Sequence, residues 1–127
     1  MDVAVTPANA LVIIPTYNER ENVVRMLETV MGLEGEFHVL VVDDGSPDGT
    51  AGLVKEMQGA HAGRIHLLER SGKLGLGTAY IAGFRWALAR DYAFIFEMDC
   101  DFSHNPKDLI RLKSACEQGA GVAVGSR

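Results

Sequence analysis

Short apolar runs at residues 10–14, 37–42 and 92–98, with a weaker one at 64–68, alternate with stretches of helical spacing along this chain. A strand covered on both faces reads as a near-continuous apolar run, whereas a half-exposed strand alternates apolar and polar residues. Parallel neighbours cannot be joined by tight hairpins; they need crossover connections, usually helices, and these are right-handed in nearly all cases. The pattern therefore predicts an α/β fold: a Rossmann-like, open, mostly parallel sheet with helices on both faces.

The first strand is expected to stop at Pro15, which has no N–H to give a ladder. Asn18 followed by Glu21 has capping-box character, and Val23, Val24, Leu27, Val30 and Met31 then recur at helical spacing up to Gly32. Ser46 and Pro47 form an N-cap and first-turn pair for a second helix reaching about residue 58. A glycine-rich loop at 70–77 leads into a third helix at 78–90. Asn105-Pro106 starts a fourth, reaching about residue 118, and a fifth strand begins at 121–124. Met26, Met31, Phe84, Trp86 and Leu88 read as core or interface residues.

With 127 residues, 47% of them apolar, and a mean hydropathy near zero, the chain has material for one compact domain, 1–127. A net charge of -5 without a Lys/Arg cluster argues against a nucleic-acid surface or a polybasic membrane anchor. Cys100 and Cys116 lack metal-binding spacing and the histidines form no ligand pattern, so neither a zinc site nor a disulfide framework is expected, and a reducing, cytosolic setting fits. No stretch reaches the length of a bilayer span and no signal-peptide pattern opens the chain, which is expected to be soluble.

Three polar clusters each follow directly on a predicted strand: residues 15–19, 43–46 and 99–101. In open parallel sheets ligands bind beyond the carboxyl ends of the strands, so all three clusters are expected along one edge. Asp99 and Asp101 place two carboxylates one residue apart. Such a pair repels unless a cation neutralises it, and a hard divalent ion with oxygen ligands, Mg²⁺ or Mn²⁺, keeps positions open for substrate phosphates. A loop cap or two solvated charges is the plain alternative for the pair by itself. Other motifs fail on spacing. The run from Asp44 resembles the start of an EF-hand loop but carries Lys55 where the bidentate Glu belongs. Gly75-Leu76-Gly77 meets Tyr80 where a dinucleotide fingerprint needs Gly or Ala, and Asp99-Cys100-Asp101 comes too late in the chain for a phosphatase-type aspartyl nucleophile.

The run Pro15-Thr16-Tyr17-Asn18-Glu19, the run from Val41 to Thr50, the run Lys73-Leu74-Gly75-Leu76-Gly77-Thr78-Ala79-Tyr80 and the run from Met98 to His104 together resemble the dolichol-phosphate (polyprenol-phosphate) mannose synthases, inverting glycosyltransferases with the GT-A fold. The first two runs are shared widely among related glycosyltransferases; the loop from Lys73 and the Ser-His-Asn-Pro tail are more specific. The resemblance implies that Pro15, Tyr17 and Glu19 contact the nucleoside, with Val42 and Asp44 closing the pocket around base and ribose. It implies that Asp99 and Asp101 act in catalysis by binding the donor diphosphate through Mg²⁺ or Mn²⁺, that Cys100 gives backbone contacts, that Ser103 joins the metal shell and that Arg127 reaches the nucleotide sugar. Asp43 is expected to orient its turn instead of touching ligand, Lys73 to be a loop charge or a phosphate contact, and His104 to be structural. Cys100 stands where the family commonly has Ala.

The implied reaction is transfer of mannose from GDP-mannose to a polyprenyl phosphate with inversion, at the cytoplasmic face of a membrane. Contact with that membrane would come through the lipid acceptor or through a further C-terminal part. Family members continue beyond the Gly-Ser-Arg stretch, so the chain is expected to be a truncated domain lacking its acceptor side. Two alternatives stay open: an inverting glycosyltransferase using a UDP-sugar, and a nucleotide-sugar-binding module without turnover.

Overall fold

The computed structural model describes residues 10–33, 37–61, 63–72, 75–90, 92–100 and 105–115. Strands β1 (Ala10–Thr16), β2 (His38–Asp43), β3 (Ile65–Glu69) and β4 (Phe94–Glu97) alternate with helices α1 (Arg20–Met31), α2 (Thr50–Ala60), α3 (Leu76–Leu88) and α4 (Asp108–Ala115). The sheet runs in the order β3-β2-β1-β4 and every neighbouring pair is parallel. The strand order reverses between β1 and β4, so the topological switch point lies beside β1. The predicted fifth strand at 121–124 lies outside the described residues.

The central strands β1 and β2 are mostly apolar because each face is covered by a different helical layer. Val12, Ile14, Val39 and Val41 point into a core built with Val23, Met26, Leu27 and Val30 of α1, Val54 of α2 and Leu109 of α4. Phe37 and Phe96 meet edge-on in that layer, with ring centroids 6.2 Å apart. The intervening residues Leu11, Ile13, Leu40 and Val42 point the other way, against Ala79 and Ala87 of α3. At Gly83, α3 comes so close to β1 that an added Cβ would sit 2.7 Å from Ile13 Cγ2. At the amino end of the strands His38, His66, Trp86 and Tyr92 form an aromatic group. Tyr92 Oη lies 2.9 Å from His38 Nδ1, and Arg90 lies over the Trp86 ring. Leu88, expected in the core or at an interface, is outside this core and 75% exposed on α3. The helix turns it away from both neighbours that Ala87 touches.

Pro15 does not end the first strand. Ile13 O accepts the Met98 N–H, so Ile13 faces β4, and Pro15, two residues on, faces the same side beyond the end of β4. Its missing N–H therefore costs no ladder bond, and the β1–β2 pairing continues through Pro15↔Val42 to Thr16↔Asp43. The helix starts also differ from expectation. Helix α1 is capped at Glu19 instead of Asn18, which takes a left-handed backbone (φ 55). Helix α2 begins after Gly49 (φ 89), because Ser46 is committed to Asp43 and is not available as its cap. Helix α3 starts two residues earlier than predicted, and α4 three residues after Asn105, whose Oδ1 accepts the Lys107 N–H.

Candidate functional site

At the carboxyl end of β1 the chain turns through Tyr17 and Asn18 into α1, and this turn is bound to the loop after β2. The Asn18 N–H donates to Ser46 Oγ (2.8 Å), the Glu19 N–H to Thr50 Oγ1 (3.1 Å) and the Arg20 N–H to Asp48 Oδ2 (3.2 Å). A helix amino end leaves backbone donors without partners, and here side chains from a neighbouring loop accept them. The Thr50 hydroxyl, helped by backbone N–H donors that include those of Arg20 and Thr50, holds the Asp48 carboxyl below its usual value, with desolvation acting against them. Beside this turn a cleft of about 370 Å³ is lined by Asn18 to Asn22 and Asp48.

Asp43, on the last residue of β2, is 1% exposed. Its Oδ1 accepts from Thr16 Oγ1 and from Ser46 Oγ (2.6 Å each), and its Oδ2 accepts the Ser46 N–H. It orients the turn, as the sequence indicates. Asp44, the next residue, is held by Arg70. The guanidinium Nε and Nη2 donate to the two carboxylate oxygens at 2.6 and 2.9 Å, while Nη1 donates to Thr78 Oγ1 and Nη2 also to the Gly75 carbonyl. This ion pair is nearly buried. A planar guanidinium fits a carboxylate with two parallel bonds.

Beyond β4, Met98 and Cys100 are buried in the α1 layer and Asp99 between them is half-buried on the other side. The Tyr80 hydroxyl, one turn into α3, donates to Asp99 Oδ1 at 3.0 Å. Burial raises the pKa of Glu97, two residues back along the strand, and the Asp99 charge raises it further. The negative charge at this corner is thus felt by its neighbours, and the donors are hard oxygens. That chemistry fits Mg²⁺ or Mn²⁺. Among the described residues no three His, Cys, Asp or Glu side chains gather as a complete metal site. Asp101 and Ser103, the other two residues assigned to the metal, lie outside the described residues, as do Lys73, His104, Cys116 and Arg127.

The predicted residues Pro15, Tyr17, Glu19, Asp44 and Asp99 thus all fall at the carboxyl ends of β1, β2 and β4, on both sides of the switch point. Tyr17 is 36% exposed, as a stacking aromatic must be. Val42 differs: its side chain is fully buried in the apolar layer between the sheet and α3. The buried Cys100 side chain agrees with a backbone-only role. Two residues of this edge were given no role in the sequence, Arg70 and Tyr80. The signal for Arg70 is register: Asp43 pairs with Glu69, which puts the following residues Asp44 and Arg70 side by side.

An all-parallel sheet with a polar, carboxylate-bearing edge at its switch point defines an open α/β fold with a ligand edge beyond its strands, and likeness to solved glycosyltransferases makes it the GT-A type. The family model for glycosyl transferase family 2 matches residues 11–127, and the chain belongs to that family. It is 52% identical over 117 residues to polyprenol monophosphomannose synthase of Mycolicibacterium smegmatis, covering 92% of this chain and 44% of the relative. It is 49% identical to undecaprenyl-phosphate mannosyltransferase of Micrococcus luteus, covering 92% and 47%. Among solved structures it is similar to the mannosyltransferase PcManGT from Pyrobaculum calidifontis in complex with GDP-Man and Mn²⁺. That match has a TM-score of 0.59 and 29% identity and covers 68% of this chain and 27% of the other. The chain spans less than half the length of these relatives.

Proposed function

We propose that this chain is the donor-binding part of a polyprenyl-phosphate mannosyltransferase that uses GDP-mannose and a divalent cation and inverts the anomeric centre. The observation that carries the reading is the juxtaposition at one sheet edge of Tyr17, Glu19, Asp44 and Asp99, in a chain about half identical to polyprenyl-phosphate mannosyltransferases. Tyr17 offers a ring face to the base, and Glu19 and Asp44 accept hydrogen bonds from base N–H or ribose hydroxyl groups. Asp99, with Asp101 and Ser103, would hold Mg²⁺ or Mn²⁺, and Arg127 would pair with phosphate oxygens. The cation, when bound, supplies charge stabilisation for the departing diphosphate.

The acceptor needs little activation. A phosphate monoester has its second pKa near ~6 and carries a nucleophilic oxygen at neutral pH, so the chain's task is to hold donor and acceptor in line. The reading places the protein at the cytoplasmic face of a membrane, where a polyprenyl phosphate presents its head group. Among the described residues no helix is long and apolar enough to cross a membrane.

Calorimetry with GDP-mannose and with UDP-glucose, each with and without Mn²⁺, tests the donor assignment. Metal-dependent binding of GDP-mannose alone is the expected result, and preference for UDP-glucose would replace it with a UDP-sugar transferase. In a full-length version that carries the acceptor side, binding without transfer of label to a polyprenyl phosphate would reduce the protein to a nucleotide-sugar-binding module. In the same full-length version, Asp101→Asn is expected to abolish metal-dependent transfer without unfolding the protein; normal turnover in that variant would remove Asp101 from the metal seat.

A further inference from the structure

Asp99 is the first residue past the last ladder contact of β4. Met98 is still tied by its N–H to Ile13 O, so the backbone is fixed up to that point, and Asp99 projects from a firm base into a turn. What fixes its side chain comes from a different element. Tyr80 reaches across from α3 and donates its phenol proton to Asp99 Oδ1 at 3.0 Å.

The reach of that phenol is set by packing. Ala79, adjacent to Tyr80, is 1% exposed against the sheet, and Gly83, three residues on, is in such close contact with Ile13 that a methyl group there would overlap it. The Tyr80 ring itself packs against the same apolar layer. Helix α3 is therefore seated at a fixed height on β1, and its second turn delivers a hydroxyl to the end of β4. A phenol with its ordinary pKa near ~10 is a donor at neutral pH, and one donated bond occupies one of about four acceptor sites on a carboxylate. It selects a rotamer and leaves acceptor capacity for a cation. Outer partners that hold a ligating carboxylate in this way commonly change metal affinity by about 10–100-fold when removed.

We propose that Tyr80 is a positioning residue for the divalent cation: through its hydroxyl it holds Asp99 in the orientation in which the carboxylate meets the metal. The inference rests on the reading of Asp99 as part of the metal seat, and the test separates the two. Mn²⁺ binding to the protein in the presence of GDP is followed by electron paramagnetic resonance for the wild type, Tyr80→Phe and Asp99→Asn, and GDP binding in EDTA is measured by calorimetry for the same three. Tyr80→Phe is expected to weaken Mn²⁺ binding about tenfold or more while GDP affinity in EDTA stays within about twofold; in a transfer assay the Mn²⁺ concentration giving half-maximal rate rises and the rate at saturating Mn²⁺ recovers. Asp99→Asn is expected to remove the site. Should Tyr80→Phe not fold, Tyr80→Met keeps apolar volume without a donor and is read the same way. Unchanged Mn²⁺ affinity in the Tyr80 variant, with loss in Asp99→Asn, overturns the role of Tyr80 and leaves the metal seat standing. Equal loss of Mn²⁺ binding and of metal-free GDP binding in the Tyr80 variant makes its role structural and overturns the proposal. Wild-type Mn²⁺ affinity in Asp99→Asn overturns the metal seat, and the role of Tyr80 with it.

Discussion

Where the loops after β1 and β2 meet, three successive backbone N–H groups of one loop are accepted by side chains of the other, and Asp43 and Asp44 are each held by several bonds. Where β4 ends, Asp99 is steadied by a phenol from a helix on the far side of the sheet. The first corner is assembled before any ligand arrives; at the second, carboxylate charge raises the pKa of a neighbouring glutamate. A nucleoside is neutral and gains from a preformed pocket with little ordering left to do. In the proposed function a divalent cation brings the positive charge that such a carboxylate corner attracts. One end of a single edge is thus knit by hydrogen bonds, and at the other a carboxylate charge is felt by its neighbour.

Breaking the knit corner should have the largest effect. Arg70→Met removes the partner of a nearly buried Asp44, and deleting one member of such a pair costs about 3 kcal/mol or more. Urea unfolding should show it as a lower midpoint with an unchanged slope. Gly83→Ala probes the other corner, because the new Cβ would meet Ile13 at 2.7 Å. Overpacking of this kind costs about 1–3 kcal/mol, and it should lift α3 and weaken Mn²⁺ binding more than GDP binding in EDTA. Thr50→Val takes the acceptor from the Glu19 N–H, a loss of about 1 kcal/mol. Its signature should be faster amide exchange at the start of α1, with β4 unaffected.

The smallest effect lies at the opposite end of the strands. Burial holds the His66 pKa below its ordinary value of 6.5, and the Arg90 charge lowers it further. The unfolded chain therefore takes up a proton that the folded chain refuses, and stability falls as pH drops below about 6.5 toward the folded value. His66→Gln should flatten that part of the urea-midpoint profile between pH 7.5 and 5.5. Glu97, whose raised pKa favours the folded state more at low pH, acts in the opposite sense near and above its ordinary 4.5, so the difference between wild type and variant isolates the histidine.

The sheet was legible because its strands are buried on both faces, a condition that writes itself into composition as runs such as residues 10–14 and 37–42. Element starts were less so. Ser46 has the chemistry of a helix cap, but tertiary contacts give it to Asp43 and Asn18, and α2 begins after Gly49 instead. Pro15 reads as a stop until the side of the strand it faces is known. Site positions after each strand followed from topology. The partners that hold them did not: Arg70 meets Asp44 through the β2–β3 register, and Tyr80 meets Asp99 through the docking depth of α3. Neither relation is local in sequence.

The stagger between β1 and β4 has a consequence for assembly. Among the described residues the β1–β4 pairing ends at Ile13↔Glu97, while β1 runs on to Thr16, an overhang of roughly 10 Å at about 3.3 Å per residue. An overhanging strand edge invites a foreign strand to add to it. At the position where such a strand would look for a donor, β1 presents Pro15, which has none. Pro15 thus withholds a donor from any strand that would add there, and Pro15→Ala should reveal this as a greater tendency to aggregate on partial unfolding.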